Sequence, residues 1–196
     1  MLYKFEIVVQ RNMKLGKTLY VTDRKVWRSW LQKNHDKKKE IWIVYYRKSS
    51  GKPRIPYNDA VDEALCYGWI DSNLKGIDEE RFCQRFSQRK PRSKLSQMNK
   101  ERVRQLIQRK KMTSSGLAAV KHALDDSFKL IIKPDILKEL KQDKKTWQNF
   151  QKFPESYKRI RIGWIESARA RHEVFDQRLR YFLRMTAKNI KYGMVQ

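Results

Sequence analysis

The segment from Arg89 to Asn99 concentrates side chains that suit an anionic ligand. It holds Arg89, Lys90, Arg92, Ser93, Lys94, Ser96 and Asn99. Guanidinium groups bind phosphate and carboxylate through paired hydrogen bonds, and the free N–H groups at a helix N-terminus also attract anions. The segment lacks the glycines of a phosphate-binding P-loop. Two interpretations stay open: these residues bind phosphate, or Ser96 caps a helix and the bases are solvated.

Asp71 is the acid that could meet this basic segment. It follows Trp69 in one predicted strand, and Arg85 lies on the next, so Trp69, Asp71 and Arg85 could line a pocket. In an enzyme acting on a small acidic or phosphorylated substrate, Asp71 would be the acid/base and Arg89 and Arg92 the anion clamp. The alternative is a structural Asp71–Arg85 ion pair. Trp69 would either pack in the core or stack on a base.

The cysteines and histidines indicate neither a metal site nor a catalytic triad. Cys66 and Cys83 lie seventeen positions apart without a CxxC pair, and the three histidines are scattered along the chain. A nucleophilic Cys66 would need a nearby base, whereas its predicted helix places it beside apolar residues, so a core cysteine is favoured. We predict no disulfide, metal or cofactor.

The charge of the chain is its most unusual property. The 196 residues carry a formal charge of +25. Residues 81–111 hold twelve Lys and Arg against one acid, and residues 157–192 hold ten against three, whereas residues 57–80 hold seven acids against one Lys. This distribution predicts an electrically lopsided molecule that attracts polyanions, nucleic acid among them. The alternative is a general surface property that serves solubility.

The periodicity of apolar residues predicts an α+β region first. We expect a short strand over residues 2–9, a helix capped by Asp23 that ends near His35, and a buried strand over 40–47. A helix over 57–66 should bury Ala60, Val61, Ala64 and Leu65 and expose Asp59, Asp62 and Glu63. Gly68 ends it, and strands follow over 69–74 and 81–87.

Helical patterns dominate the rest of the chain. Ser96 should cap one helix and Ser114 or Ser115 the next, through about Leu124. Asp135 begins another, and one long final helix should start at Pro154. The predicted organisation is an α+β body over 1–125 and a helical C-terminal module over 126–196 packed on it. The start of the chain has neither signal-peptide nor membrane-span character, so we expect a cytoplasmic protein.

Six stretches carry a resemblance to a known family: WRSWLQKNH (27–35), IWIVYYRKSSGKP (41–53), ALCYGWIDS (64–72), RFSQRKPRSKLSQMNKERV (85–103), KMTSSGL (111–117) and FPESYKRIRIGWIESARAR (153–171). They resemble the YdeI / OmpD-associated, or bacteriocin-protection, proteins over roughly residues 22–190. The resemblance implies a YjbR/CyaY-like small antiparallel sheet with helices, followed by a helical C-terminal module. It brings no catalytic residues. This sequence departs from the pattern at Ser87-Gln88, at Leu95, and at the basic run 109–111, where a Gly is usual.

Three functional hypotheses follow. The first is a basic binding module for an anionic partner such as nucleic acid or a phosphorylated ligand. The second is the enzyme described above. The third is a stress-protection protein that acts through a protein partner, as the resemblance implies. No helix-turn-helix, RNP or zinc-finger signature is present, so base-specific readout is not predicted.

Overall fold

The computed structural model describes residues 15–124 and 129–193, so the strand predicted over 2–9 lies outside the described residues. Contacts divide the described chain into two compact units. The first contains residues up to Ser93 together with Val103–Ala123, and the second contains Lys94–Arg102 together with the residues from Leu124 onward. The boundary expected near residue 125, and the packing of a module on the body, stay predictions.

The first unit is built on a sheet whose described strands are β1 (Thr18–Tyr20), β2 (Glu40–Tyr46), β3 (Trp69–Gly76) and β4 (Arg81–Gln88). Their order is β1-β2-β4-β3. The β2–β4 and β3–β4 pairs are antiparallel, whereas the short β1 runs parallel to β2 because helix α1 (Arg24–Asn34) returns the chain between them. The predicted α+β fold class is confirmed.

Helices α1 and α2 (Tyr57–Cys66) supply much of the first core. Asp23 caps α1 as predicted, since its Oδ1 accepts from the N–H of Lys25 at 2.7 Å. Trp27 is fully buried: its ring meets Phe86 of β4, and its Nε1 donates to the carbonyl of Ala60 at 3.0 Å. The predicted inward face of α2 is confirmed, because Ala60, Val61, Ala64 and Leu65 are all buried.

The prediction that Glu63 faces water is wrong. Its side chain is only 3 % exposed. Its carboxylate accepts hydrogen bonds from Arg24 Nε at 2.5 Å and from Arg28 Nη1 at 2.6 Å. Glu63 follows Ala60 by one helical turn, so it shares the face that α1 covers. A carboxylate is stable there because two guanidinium groups replace its lost hydration.

Helix α3 (Gln97–Gln108) ends in a left-handed turn. Lys111 donates its N–H to the carbonyl of Leu106, Lys110 donates to that of Ile107, and Lys110 has φ +53°. These are the two hydrogen bonds of a Schellman motif, in which glycine usually takes the left-handed position. The basic run that replaces the usual Gly therefore keeps the geometry of this turn.

Helix α4 (Ser114–Val120) is capped by Thr113, which corrects the prediction of Ser114 or Ser115. The Thr113 hydroxyl donates to the carbonyl of Cys66 at 2.6 Å and accepts from the N–H of Gly116 at 3.2 Å. A Cβ on Gly116 would lie 2.1 Å from the Cys66 carbonyl oxygen, so only glycine fits there. The TSSG sequence thus holds α4 against the end of α2.

The second unit contains the helices α5 (Pro134–Gln142), α6 (Lys144–Lys152), α7 (Glu155–Glu166) and α8 (His172–Ala187). Asp143 caps α6. All four helices contribute to one apolar core: Ile136, Leu140, Phe150, Phe153, Tyr157, Ile162, Ile165, Ala168, Phe175, Leu179 and Phe182.

The prediction of one long final helix is wrong, because the chain turns between α7 and α8 at residues 167–171. A straight helix over 155–187 would be about 50 Å long and could not bring Phe175, Leu179 and Phe182 back to this core. Arg169 stabilises the turn by donating to Glu166 and, at 2.8 Å, to Asp135 of α5. Burial of apolar surface outweighs the helix propensity of the Ala- and Arg-rich connection.

Glu101, the lone acid of the basic run 81–111, has a structural role in the second unit. It is 6 % exposed, and its two oxygens accept from Arg159 Nε at 2.7 Å and Nη2 at 3.0 Å. Gln97, one turn earlier on α3, donates to the same carboxylate at 3.0 Å. The pair links α3 to α7.

Lys110→Gly should stabilise the protein. A residue with a side chain in the left-handed conformation costs roughly 1–2 kcal/mol, which glycine would avoid. The greater conformational freedom of glycine in the unfolded chain offsets about 0.4–1 kcal/mol of this stabilisation. We expect the free energy of unfolding, from urea denaturation, to rise by roughly 0.5–1 kcal/mol. Lys111→Gly is the control, since it removes the same charge at a residue without positive φ, and it should lower stability. Equal effects of both variants would contradict the assignment.

Arg159→Ala should destabilise the protein by about 3 kcal/mol, because it leaves the buried Glu101 carboxylate without its main partner. Arg180→Ala, which removes an exposed arginine from α8, should change stability by no more than about 0.5 kcal/mol. The double variant Glu101→Leu/Arg159→Met should recover much of the stability, since neither member of this ion pair is then left buried without the other. An equally large destabilisation by Arg180→Ala would show a general charge effect instead.

Candidate functional site

The antiparallel pairing of β2 and β4 joins two basic stretches that lie about fifty positions apart in the sequence. Glu40 is paired with Ser87 in this ladder. The next residues are also joined: Gln88 donates its N–H to the carbonyl of Lys39 at 3.1 Å, and its amide donates to the carbonyls of His35 and Lys38. The loop 37–39 therefore lies beside the residues that follow β4.

Lys37, Lys38, Lys39, Lys90 and Arg92, all exposed, form what we call the basic end of the sheet. Lys90–Ser93 is a tight turn closed by a hydrogen bond from the Ser93 N–H to the Lys90 carbonyl at 3.1 Å. Pro91 suits the second position of such a turn, and Arg92 takes the left-handed position with φ +56°. Within residues 15–124 and 129–193, none of these five cations forms an ion pair.

The predicted anion-binding residues have different environments. Lys90 and Arg92 are exposed, whereas Arg89 is partly buried and donates to the carbonyl and hydroxyl of Ser93 at 3.2 and 3.0 Å. Burial lowers the pKa of the Arg89 guanidinium. Arg89 and Ser93 thus shape the turn. In the second unit, the Ser96 hydroxyl accepts from the N–H of Asn99 at 3.2 Å. Ser96 therefore caps helix α3, which is the alternative to phosphate binding.

The expected meeting of Asp71 with Arg85 does not occur. Asp71 pairs with Phe86 across β3 and β4, so side-chain alternation directs Arg85 to the other face of the sheet. Asp71 instead accepts from the Tyr57 hydroxyl at 2.6 Å. Arg85 donates to Glu40 through Nε at 2.9 Å and through Nη2, and its Nη1 donates to Ser72 Oγ at 3.3 Å.

Trp69 packs in the core and is not available for stacking on a base. It is fully buried, its Nε1 donates to the carbonyl of His35 at 3.0 Å, and its ring contacts Trp30. The pocket predicted from Trp69, Asp71 and Arg85 is not formed by these three side chains together. Asp71 and Arg85 lie on opposite faces of the sheet, and Trp69 is buried in the core.

Acidic residues lie at the other end of the same strands. Asp78, Glu79 and Glu80 form the turn between β3 and β4, roughly 25 Å from the basic end at about 3.3 Å per residue. Asp78 accepts from the N–H and the guanidinium of Arg81, and the latter interaction holds the pKa of the Asp78 carboxyl below its ordinary value. A wide cavity of about 500 Å³ lies beside this turn. The sheet is therefore polarised along its strands.

A second cavity, of about 320 Å³, opens at the basic end. Trp30 and Asn34 of α1, Lys17 and Thr18 at the start of β1, and Lys38 contribute to its lining. Sequence reasoning missed this cavity, because its residues come from a helix, an edge strand and a loop. The only signal was that Trp30, Asn34 and Lys38 recur at four-residue steps.

A Ser–His contact was also missed, because its members lie 80 positions apart. The Nδ1 of His35 lies 3.1 Å from the carbonyl of Leu31 and must donate to it, so in the neutral ring Nε2 accepts from Ser115 Oγ at 3.1 Å. The imidazole can take the hydroxyl proton. However, the group on Nδ1 is a backbone carbonyl and not the carboxylate that stabilises an imidazolium in hydrolytic triads.

Cys66 is a core residue, as expected. Its side chain is buried, and this burial, reinforced by the charge of Glu63, raises the pKa of the thiol to about 11. The thiol is therefore protonated, and unreactive as a nucleophile, near neutral pH. In the described ranges, no three His, Cys, Asp or Glu side chains meet in a way that could hold a metal ion.

Two family models match the chain, one over most of the first unit and one over the helical C-terminal region. Residues 19–119 match the model of a domain of unknown function (DUF8412), and since this is more than half of the chain, the protein belongs to that family. Residues 129–189 match the model described as bacteriocin-protection, YdeI or OmpD-associated. This second match confirms the predicted YdeI / OmpD-associated resemblance, although five of the six quoted stretches fall within the first match.

No curated protein and no solved structure matches the chain. None of the described helices combines the length and the apolar character that crossing a bilayer requires.

Thiol reagents should label Cys66 slowly in the native protein. At pH 8 only about one thiol in a thousand is ionised when the pKa is near 11, and the labelling rate should rise about tenfold per pH unit below that value. The measurement uses a Cys83→Ala variant, so that one thiol remains. An added Ser49→Cys, at an exposed position, is the control and should label rapidly. Equally rapid labelling of Cys66 would revive a nucleophilic role.

Proposed function

We propose that the protein binds nucleic acid through the basic end of the sheet. The observation that carries this proposal is the β2–β4 register, which joins Lys37–Lys39 to Lys90 and Arg92 while the acidic turn lies at the opposite end of the strands. Exposed cations without carboxylate partners can release the counterions of a phosphate backbone, and this release supplies most sequence-independent affinity.

The uneven charge of the sheet favours one orientation of the protein on nucleic acid. Double-stranded nucleic acid carries a charge about every 1.7 Å along its axis, so the acidic turn repels it and the basic end attracts it. The geometry supports a surface for phosphates. Base-specific readout would require a recognition element in a groove, and the sequence carries no signature of one.

The enzyme hypothesis is weaker, since Asp71 accepts from Tyr57 and Arg89, one of the two arginines of the predicted anion clamp, donates to Ser93. The match to the bacteriocin-protection model favours a second candidate, a protective role that acts through a protein partner. No feature of the described surface identifies that partner, and nucleic acid therefore remains the better supported proposal.

Replacing Lys37, Lys38 and Lys39 together with Gln should weaken binding to a short random-sequence duplex. Affinity should fall at every salt concentration, and the slope of log affinity against log salt should become shallower by about 0.9 for each phosphate that the variant no longer neutralises. Fluorescence anisotropy across a salt series measures both quantities. Stability should change little, because exposed charges contribute on the order of 0–1 kcal/mol.

The matched control is Lys25, Lys48 and Lys52→Gln, which removes the same charge from exposed positions towards the acidic end. This variant should keep most of the affinity and most of the slope. An equal reduction of affinity in both variants would show that net charge alone drives binding. If the unchanged protein does not bind at about 0.15 M salt, the proposal is wrong.

A further inference from the structure

Trp30 offers a fixed aromatic surface beside the basic end of the sheet. Its ring stacks on Trp27 with a centroid distance of 5.2 Å and an interplanar angle of 18°, and it meets Trp69 edge to face at 5.8 Å. Trp27 and Trp69 are both fully buried, so they hold the indole of Trp30 in place. Trp30 itself is only partly buried, and it lines the cavity of about 320 Å³.

The cavity is small, polar at its rim and basic. Its volume lies at the lower end of the range for small-ligand sites, about 300–1,000 Å³. Lys17 and Lys38 line it and are exposed. Glu40 also lines it, but the two donors from Arg85 neutralise its carboxylate, so its negative charge does not oppose an anion nearby.

Asn34 adds a hydrogen-bonding group of fixed orientation. Its Nδ2 donates to the carbonyl of Trp30 at 2.8 Å, which leaves its Oδ1 to accept a further hydrogen bond. An aromatic surface, an amide oxygen and two flanking lysines match the three parts of a nucleotide: the face of the base, its exocyclic amino group and its phosphates.

We infer that this cavity accepts one unstacked base of a single-stranded nucleic acid, with the base against Trp30 and the neighbouring phosphates on Lys17 and Lys38. The inference rests on the proposed function and makes it more specific. Bases within a duplex are stacked and paired, so they can enter such a cavity only after costly flipping. The protein should therefore prefer single strands to duplexes.

The test compares the affinity of the full chain for a single-stranded oligonucleotide and for its duplex. Trp30→Leu should lower single-strand affinity roughly 5- to 150-fold, as expected for the removal of one base–aromatic stack, and leave duplex affinity nearly unchanged. Trp30→Phe should retain most of the single-strand affinity, since a ring remains. Trp147→Leu, which removes another partly buried Trp stacked on a neighbouring ring, is the matched control and should change neither affinity.

A second variant tests the cavity without touching the indole packing. Thr18→Phe places a large ring in an exposed strand position that lines the cavity, where aromatic residues are well tolerated. It should produce the same selective decrease of single-strand affinity. If Trp30→Leu and Thr18→Phe leave the ratio of single-strand to duplex affinity unchanged while the Lys37–Lys39 variant weakens both, the inference is wrong and the proposed function stands. Absence of nucleic-acid binding by the unchanged protein overturns the proposed function itself.

Discussion

The antiparallel pairing of β2 with β4 is the constraint on which the rest of the first unit depends. Seven residue pairs, from Glu40 with Ser87 to Tyr46 with Arg81, determine which residues share a face and which share an end. A slip of one residue would exchange the two faces and expose Phe86, which packs on Trp27. Because the hydrophobic faces resist this slip, they also fix the positions of the charged residues at both ends.

Internal ion pairs engage acids that the sequence has in short supply. Glu63 neutralises Arg24 and Arg28 in the first unit, and Glu101 neutralises Arg159 in the second. These acids are buried because they hold helices together, and they leave exposed cations such as those of the basic end without carboxylates. An ion pair contributes no net charge, so the charge of +25 comes from the excess of 46 Lys and Arg over 21 Asp and Glu, and the cations of the basic end belong to this excess.

The candidate site could be predicted only in part. Lys90 and Arg92 were identified from residue type, and the structure leaves both exposed. Lys37–Lys39, which the β2–β4 pairing joins to them, were not associated with them, because strand pairing between distant segments leaves no local signal. The Asp71–Arg85 pair was expected from the proximity of two strands. It failed because the register sets Asp71 opposite Phe86, and sequence alone does not specify that register.

What the sequence determined by itself was the set of local elements. The bounds of β2, α2 and β4 follow from β-branched and aromatic runs, from helical periodicity and from Gly68, all of which act over a few residues. The turn after α7 was decided only by the tertiary structure, because local propensity favours a continuous helix through 167–171 while the core of the second unit requires the chain to fold back. The burial of Glu63 and the cavity beside Trp30 have the same origin: they arise where separate elements meet, and the free energy of those contacts is not encoded in any one segment.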